Sequence, residues 1–389
     1  MSAPILRGWC PGAYRPMASG DGLVVRIRPP LGELSSSQAI GLADLARRYG
    51  HGIIQMTNRA NLQIRGVAES DHAKMLDRLV ALDLVPHDSR LDAQNIILDP
   101  LRASPSNDVQ AKIAVALSEA LHDPEPISLP AKFGFVVDTG AARRLGHISG
   151  DIRIEAHRDT LLVRADGCRM GRPVHSVTEA VSNALMLTRW FLETGGVNAE
   201  GRGRMADLIA SGAVPPEPLR GTLPPNPAAD PPLPGPTQNG YCVAAAFGQL
   251  TSDDLHFLAD CGAPWMRLTP WRMMFLPIVE LPMGFPRAST LIADPLQPLL
   301  RVDACPGAPA CPQASVETRA LARKLAPSLR PQETLHISGC GKGCARSRPA
   351  DVTLVGRNGR FDLVRHGTAK DIPDVCSIAP DTVPDFIYR

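Results

Sequence analysis

The chain has no uninterrupted apolar run of about 18 residues, the length a membrane-spanning helix needs, so no membrane partner is expected. Its first twelve residues, MSAPILRGWCPG, lack both a basic n-region and an apolar h-region. No secretory signal is read there, and a cytoplasmic location is expected. Charge of one sign is nearly absent as well: the formal net charge is +2 over 389 residues. That is too weak a field to drive nucleic-acid binding, which is excluded as an expected activity. Lysine is scarce, with 6 residues against 35 arginines. GC-rich coding would produce this bias; many forked guanidiniums also suit a polycarboxylate ligand. There is no GxxxxGKS/T loop, and Gly201-Arg202-Gly203-Arg204 does not open a helix with dinucleotide-fingerprint spacing. A built-in ATP or nicotinamide site is therefore not expected. Electrons, if used, come from an external donor, a ferredoxin or an NAD(P)H-dependent reductase.

What is present describes a globular protein of several domains: 44% hydrophobic and 21% charged residues, with a mean hydropathy of −0.05. Between Val214 and Asn239, ten of the 38 prolines fall in 26 residues. This segment cannot propagate a helix or lie in a central strand, so it reads as a semi-rigid linker between two halves. Each half opens with the same grammar. Gly32-Glu33-Leu34-Ser35 matches Gly248-Gln249-Leu250-Thr251, and after a four-residue deletion Thr57-Asn58-Arg59 falls near Thr269-Pro270-Trp271-Arg272. A β-rich run (Leu23–Ile27; Tyr241–Ala245) leads to a capping box, Ser35-x-x-Gln38 or Thr251-x-x-Asp254, that predicts a helix. Two further strands are expected after it, Ile53–Thr57 and Asn61–Arg65 in the first copy, Met266–Thr269 and Met273–Leu276 in the second. Helix on one sheet face makes each copy α+β.

Nine cysteines, an odd number, argue against a disulfide framework. Four fall in two pairs inside Gly/Pro loops, Cys305-x5-Cys311 and Cys340-x3-Cys344. Four thiolates suit an iron–sulfur cluster, whose sulfurs accept hydrogen bonds from closely approaching backbone. Zinc also takes four thiolates, although its structural sites favour shorter gaps than the first pair has. Unligated buried thiols are the third reading. Cys10, Cys168, Cys242, Cys261 and Cys376 show no pairing and read as small buried residues, with Cys10 left open. His336 reads as a packed core residue. His51, His147, His157 and His175 could supply nitrogen ligands to a mononuclear iron, but their spacing forms no two-His-one-carboxylate triad and none is assigned.

The two cysteine pairs with His336–Ala345 (HISGCGKGCA), the duplication and Thr57–Gln63 (TNRANLQ) together resemble the sulfite and nitrite reductase superfamily. Cys10–Leu23, Gly52–Arg59 and Arg267–Arg272 (RLTPWR) are most similar to its precorrin-3B synthase branch. The resemblance implies a duplicated α+β fold with pseudo-two-fold arrangement. Two ferredoxin-like half-domains (1–75 and 240–288) are each followed by an α+β domain (76–213 and 289–389), with the linker at 214–239. It also implies a [4Fe–4S] cluster on Cys305, Cys311, Cys340 and Cys344, with siroheme or a mononuclear iron as further cofactor alternatives. The implied reaction is oxygen-dependent C20 hydroxylation of precorrin-3A with γ-lactone formation, so that precorrin-3A and dioxygen are the expected partners. Assimilatory sulfite or nitrite reduction is the alternative, and a non-catalytic iron–sulfur tetrapyrrole-binding protein a second one.

Departures from the reductase pattern bear on that choice. The reductases surround a small oxyanion with two arginines and two lysines. Here Arg59 has a counterpart, but the second arginine position is Gln94 in AQNII, and LPAKFGF keeps Lys132 while placing Gly134 where the second lysine belongs. Arg59 and Lys132 are therefore the catalytic candidates. Arg59, Arg267 and Arg272 are the candidates for binding acetate and propionate arms, with Arg26, Arg28 and Arg65 on neighbouring strands; solvated rim charge is the competing reading for each.

Overall fold

A computed structural model describes residues 11–102, 108–122, 127–282, 284–285 and 290–387. The first repeat contains β1 (Met17–Ser19), β2 (Gly22–Ile27), β3 (Glu33–Ser35), α1 (Ser36–Tyr49), β4 (Ile53–Met56), β5 (Leu62–Val67) and α2 (His72–Ala81). An α/β unit follows, with β6 (Ile96–Leu98), α3 (Val109–Ala120), β7 (Phe135–Asp138), β8 (Ile152–His157), β9 (Thr160–Ala165), β10 (Arg172–Val174), α4 (Val177–Glu193) and α5 (Met205–Ala210). The second repeat supplies β11 (Gly235–Thr237), β12 (Gly240–Ala245), β13 (Gln249–Thr251), α6 (Ser252–Ala259), β14 (Trp265–Leu268), β15 (Met273–Leu276) and β16 (Leu291–Ile292). The last unit holds β17 (Val302–Ala304), α7 (Arg319–Leu325), β18 (Leu335–Ser338), β19 (Ala350–Arg357), β20 (Arg360–Gly367), β21 (Val375–Ile378) and α8 (Val383–Ile387).

Both predicted capping boxes close. Ser35 and Thr251 accept from the backbone N–H of Gln38 and Asp254, whose side chains accept in return from the backbone of the cap residue. Each cap stabilises its helix by about 1 kcal/mol. The repeats do not fold side by side as independent units. β3 leaves the first repeat to pair antiparallel with β14, and β13 leaves the second to pair with β4. The resulting sheets have the orders β1-β2-β5-β4-β13 and β11-β12-β15-β14-β3. Helices α1 and α6 share one apolar core between them, in which Leu34, Leu42, Ile54 and Ile64 of the first copy join Leu250, Leu258, Met266 and Met274 of the second. Ser252 ties them polarly, its hydroxyl donating to the carbonyls of Ala43 and Gly52.

The two α/β units repeat one topology as well. In β10-β9-β8-β7-β6 and β17-β18-β19-β20-β21 the first three strands in sequence run parallel, and antiparallel hairpins complete the sheets. The Pro-rich segment is not a free tether. Ala228 bridges to Arg143 and Leu223 to Gly171, Asn226 donates to Gly140 O, and residues 235–237 enter the second sheet as β11.

At the end of β7, Asp138 is 1% exposed and accepts from Leu145 N at 2.7 Å. Burial pushes its carboxyl up to about 6, and Asp99 and Glu155 add to the rise. The folded state therefore holds a proton that the unfolded chain has released, so stability from this group is present below pH 4 and is lost as pH rises through about 6. Asp138→Asn keeps a carbonyl for Leu145 and removes that dependence. The variant is expected to gain on the wild type by up to about 3 kcal/mol between pH 4 and pH 7, read from denaturation midpoints at the two pH values; a constant difference would contradict the burial argument.

Candidate active site and cysteine centre

The repeat carries its strongest signature in two turns. Thr57 Oγ1 accepts from the N–H groups of Arg59 (3.3 Å) and Asn61 (3.1 Å); Thr269 Oγ1 accepts from those of Trp271 (3.2 Å) and Met273 (3.1 Å). Ala60 and Arg272 both adopt left-handed backbone, with φ of 52° and 59°. The true equivalents are therefore Arg59 with Trp271 and Ala60 with Arg272. The two arginines are one position out of register, which corrects their expected near-equivalence and sends them to different places.

Arg59 turns toward the first α/β unit. Its Nη2 donates to Lys132 O at 2.9 Å and to Ser149 Oγ at 3.3 Å. Lys132 is exposed, at the edge of this contact. Gly134 lies behind it: a Cβ added there would sit in ordinary contact with Arg59 Nη1 at 3.9 Å and tightly against Asn95 O at 3.2 Å. Gln94 faces away, donating to Ser118 O at 3.1 Å, accepting from Ser118 Oγ at 2.7 Å and pairing with His122 Nδ1 at 2.8 Å. Its amide is fully used against α3. Ser149 also borders a cavity of about 480 Å³ lined by His147, Arg153, Asp166, Arg204 and Asp207 among others.

Arg272 faces the cysteine loops. Nη1 pairs with Asp303 Oδ1 at 2.6 Å, and Nη2 donates to Ala345 O at 2.9 Å, next to Cys344. Arg65 does the same for the other loop, donating to Ala310 O at 2.8 Å next to Cys311 while its fork grips Asp21. One arginine from each repeat thus holds one cysteine loop. Arg272 is a loop-holding residue here, which corrects its expected role on a substrate carboxylate.

Arg267 is corrected more strongly. It is 2% exposed, pairs with Glu33 Oε1 at 2.8 Å, donates to Arg102 O at 2.6 Å and stacks on Trp265 at 4.3 Å. Its fork is committed to the junction between the repeats, where β3 crosses to β14. Arg267→Met is expected to cost about 2–3 kcal/mol of stability, less than a fully buried broken pair because Glu33 keeps Arg102, and to leave ligand affinity within twofold in the folded fraction. Melting and equilibrium binding on the same sample check both halves. Arg28 is likewise internal, paired with Asp92, and Arg26 lies against Gln63.

The four paired cysteines share one neighbourhood. Cys305 follows β17 and is buried; its Sγ accepts from Gly339 N at 3.1 Å. Burial pushes the Cys340 and Cys344 thiols up, and Cys305 and Cys311 raise both further. Gly343, between them, has a φ of +64° that few other residues adopt. The donor set fits an iron–sulfur cluster: four sulfurs from two loops, with a backbone N–H already on one of them. Among the described residues no three His, Cys, Asp or Glu side chains converge as around one metal ion.

Of the remaining cysteines, Cys242 is fully buried, Cys168 and Cys261 are half-buried, and Cys376 on β21 is exposed, contrary to expectation. Cys10 lies outside the described residues. His336 is fully buried, and burial pushes its ring down to about 4, so it is neutral. His51, His147, His157 and His175 stand on separate segments. Asp303, Ser149 and Arg319, which the spacing arguments passed over, complete these surroundings; single polar residues outside a motif carry no periodic signal.

Residues 15–82 match the family model of the nitrite/sulfite reductase ferredoxin-like half domain. The chain is similar to a precorrin-3B synthase of Sinorhizobium sp, 28% identical over 95% of this chain and 85% of that one. It is also similar to a ferredoxin–nitrite reductase of Synechococcus elongatus, 27% identical over 91% of this chain and 80% of that one. Among solved structures, the Mycobacterium tuberculosis NirA protein shares its fold, with a TM-score of 0.70 at 18% identity, over 94% of this chain and 79% of that one. The chain is thus similar to a precorrin-3B synthase and to a ferredoxin–nitrite reductase, shares the fold of the NirA protein, and carries a nitrite/sulfite reductase ferredoxin-like half domain over residues 15–82.

Proposed function

We propose that the protein is an oxygen-dependent tetrapyrrole monooxygenase of the precorrin-3B synthase type, which hydroxylates C20 of precorrin-3A and closes its ring-A acetate into a γ-lactone. The observation that carries this reading is the altered surroundings of Arg59. A reducer of small oxyanions needs several cations converging on one point. Here the Gln94 amide is tied to α3 and Gly134 contributes no side chain, so two of the four positions carry no cation beside Arg59 and Lys132. A single arginine fork at this place suits the carboxylate of an organic substrate better than a small oxyanion.

In this reading Arg59 binds an acetate or propionate arm bidentately and fixes the macrocycle's orientation. Lys132, at the rim, adds long-range attraction for a polyanionic substrate. Cys305, Cys311, Cys340 and Cys344 would hold a [4Fe–4S] cluster, which when bound supplies single electrons received from an external donor. A monooxygenation places one atom of dioxygen in the product hydroxyl and the other in water, consuming two electrons; the substrate's own carboxylate closes the lactone. Arg65 and Arg272 keep the two cysteine loops in register with the repeats.

Anaerobic purification with iron, sulfide and zinc analysis, then exposure to a precorrin-3A-generating system and air, tests the proposal. Iron and sulfide near equality with oxygen-dependent conversion supports it. A second reading, sulfite or nitrite reduction with siroheme, draws on the retained Arg59 and the nitrite reductase relative; siroheme absorption bands with turnover of either anion would establish it instead.

A further inference from the structure

Four arginines crowd the cysteine centre, and three of them have carboxylate partners. Arg65 is paired with Asp21 at 2.9 Å, Arg272 with Asp303 at 2.6 Å, and Arg346 with the same Asp303 at 3.0 Å. Arg319, the first residue of α7, is different. Its Nε and Nη2 are shielded from solvent and meet no acceptor. The residue before it, Thr318, is 1% exposed and donates its hydroxyl to the carbonyl of Cys305, which places the start of α7 beside the first cysteine. Burial disfavours its charge most, Arg65, Arg272 and Arg323 add to that, and Cys305 acts in the opposite sense. A partly buried cation whose shielded N–H groups are idle among other cations is costly unless an anion meets them.

We propose that Arg319 is the charge-compensating residue of the four-thiolate centre, directing its Nε and Nη2 at the sulfurs around Cys305 and thereby favouring the reduced state of the cluster. The inference rests on the cysteines holding a cluster, as in the preceding section. Reduction adds one electron and no bond, so one further negative charge must be accommodated where the donors already point. Arg319 is a positioning residue: it acts on the sulfurs and on no reacting atom of the substrate.

The test is the midpoint potential of the cluster in the reconstituted full-length protein, followed by spectroelectrochemistry and the electron paramagnetic resonance of the reduced cluster. Arg319→Gln is expected to weaken the preference for the reduced state about tenfold, a downward shift of about 59 mV for one electron. Arg319→Lys keeps the charge and loses the fork, and should shift about threefold. Arg323→Gln, exposed and lying over Phe247, is the control for general charge and should change less than twofold. If Arg319→Gln folds by circular dichroism but retains little iron and sulfide, the compensating role is supported by that loss, and Arg319→Lys carries the potential measurement. Unchanged midpoints with full cluster content in both variants would overturn the inference. So would a raised dissociation constant for a uroporphyrinogen-like analogue with an unchanged midpoint, which would assign the idle N–H groups to a substrate carboxylate. A wild-type protein that takes up no iron or sulfide would instead overturn the cluster reading itself.

Discussion

Cys344→Ser is expected to lower iron and sulfide content at least tenfold after reconstitution, and oxygen-dependent conversion of precorrin with it. A serine hydroxyl keeps the size of the side chain but does not ionise in the range where a thiol does, and the thiolate is the form that ligates. Cys344 is the most exposed of the four, while Cys305 is buried with its sulfur already engaged by Gly339 N. Loss at Cys344 therefore reports ligation without the core damage that a change at Cys305 would bring. Cys376→Ser is the matched control: it is also exposed, lies on β21 away from both loops, and should leave iron and sulfide unchanged. Equal effects in the two variants would contradict the assignment of ligands. So would stoichiometric zinc in the wild type.

Arg59→Gln is expected to raise the dissociation constant for precorrin-3A or a uroporphyrinogen-like analogue between about 10-fold and 100-fold. A charge-assisted hydrogen bond contributes about 1.5–3 kcal/mol, and each 1.4 kcal/mol is a factor of ten. Arg59 is half-buried and donates to Lys132 O and Ser149 Oγ, so the melting temperature of the variant is read beside its binding. Arg272→Gln should behave differently, leaving binding within threefold and loosening the Cys340–Cys344 loop, since Nη2 donates to Ala345 O and Nη1 pairs with Asp303. Unchanged binding in Arg59→Gln would remove the proposed carboxylate site. Calorimetric titration of each variant with the analogue, beside its iron content, separates the two roles.

Much of the scaffold is legible in the sequence because the signals are local. Ser35-x-x-Gln38 and Thr251-x-x-Asp254 are complete within four residues, and both close in the structure. Strand Met273–Leu276 falls on its expected bounds. The strand exchange is not legible. β3 and β13 are three residues each, too short for alternation to show, and pairing with the opposite repeat leaves no mark in either segment. Helix α7 begins at Arg319, directly after Thr318, whose hydroxyl is held by the Cys305 carbonyl. Of the site, the cysteine loops are legible from spacing, whereas the arginines are not separable by type. Arg267 and Arg59 carry the same group, and only packing distinguishes the one that clamps Glu33 from the one that faces Lys132 and Ser149. The one-position offset of Arg272 from Arg59 is likewise hidden by the deletion between the repeats and revealed by matching left-handed residues at Ala60 and Arg272.

The central claim is that dioxygen, and not sulfite or nitrite, is the oxidant at this site. The most direct test supplies isotopically labelled dioxygen and a reductant to anaerobically purified, reconstituted protein with precorrin-3A, and analyses the product by mass spectrometry. The account predicts one labelled oxygen atom in the product, in the C20 hydroxyl, with the lactone oxygens unlabelled because they come from the acetate. Unlabelled or unconverted precorrin, together with reductant-dependent consumption of nitrite or sulfite by the same sample, would contradict it.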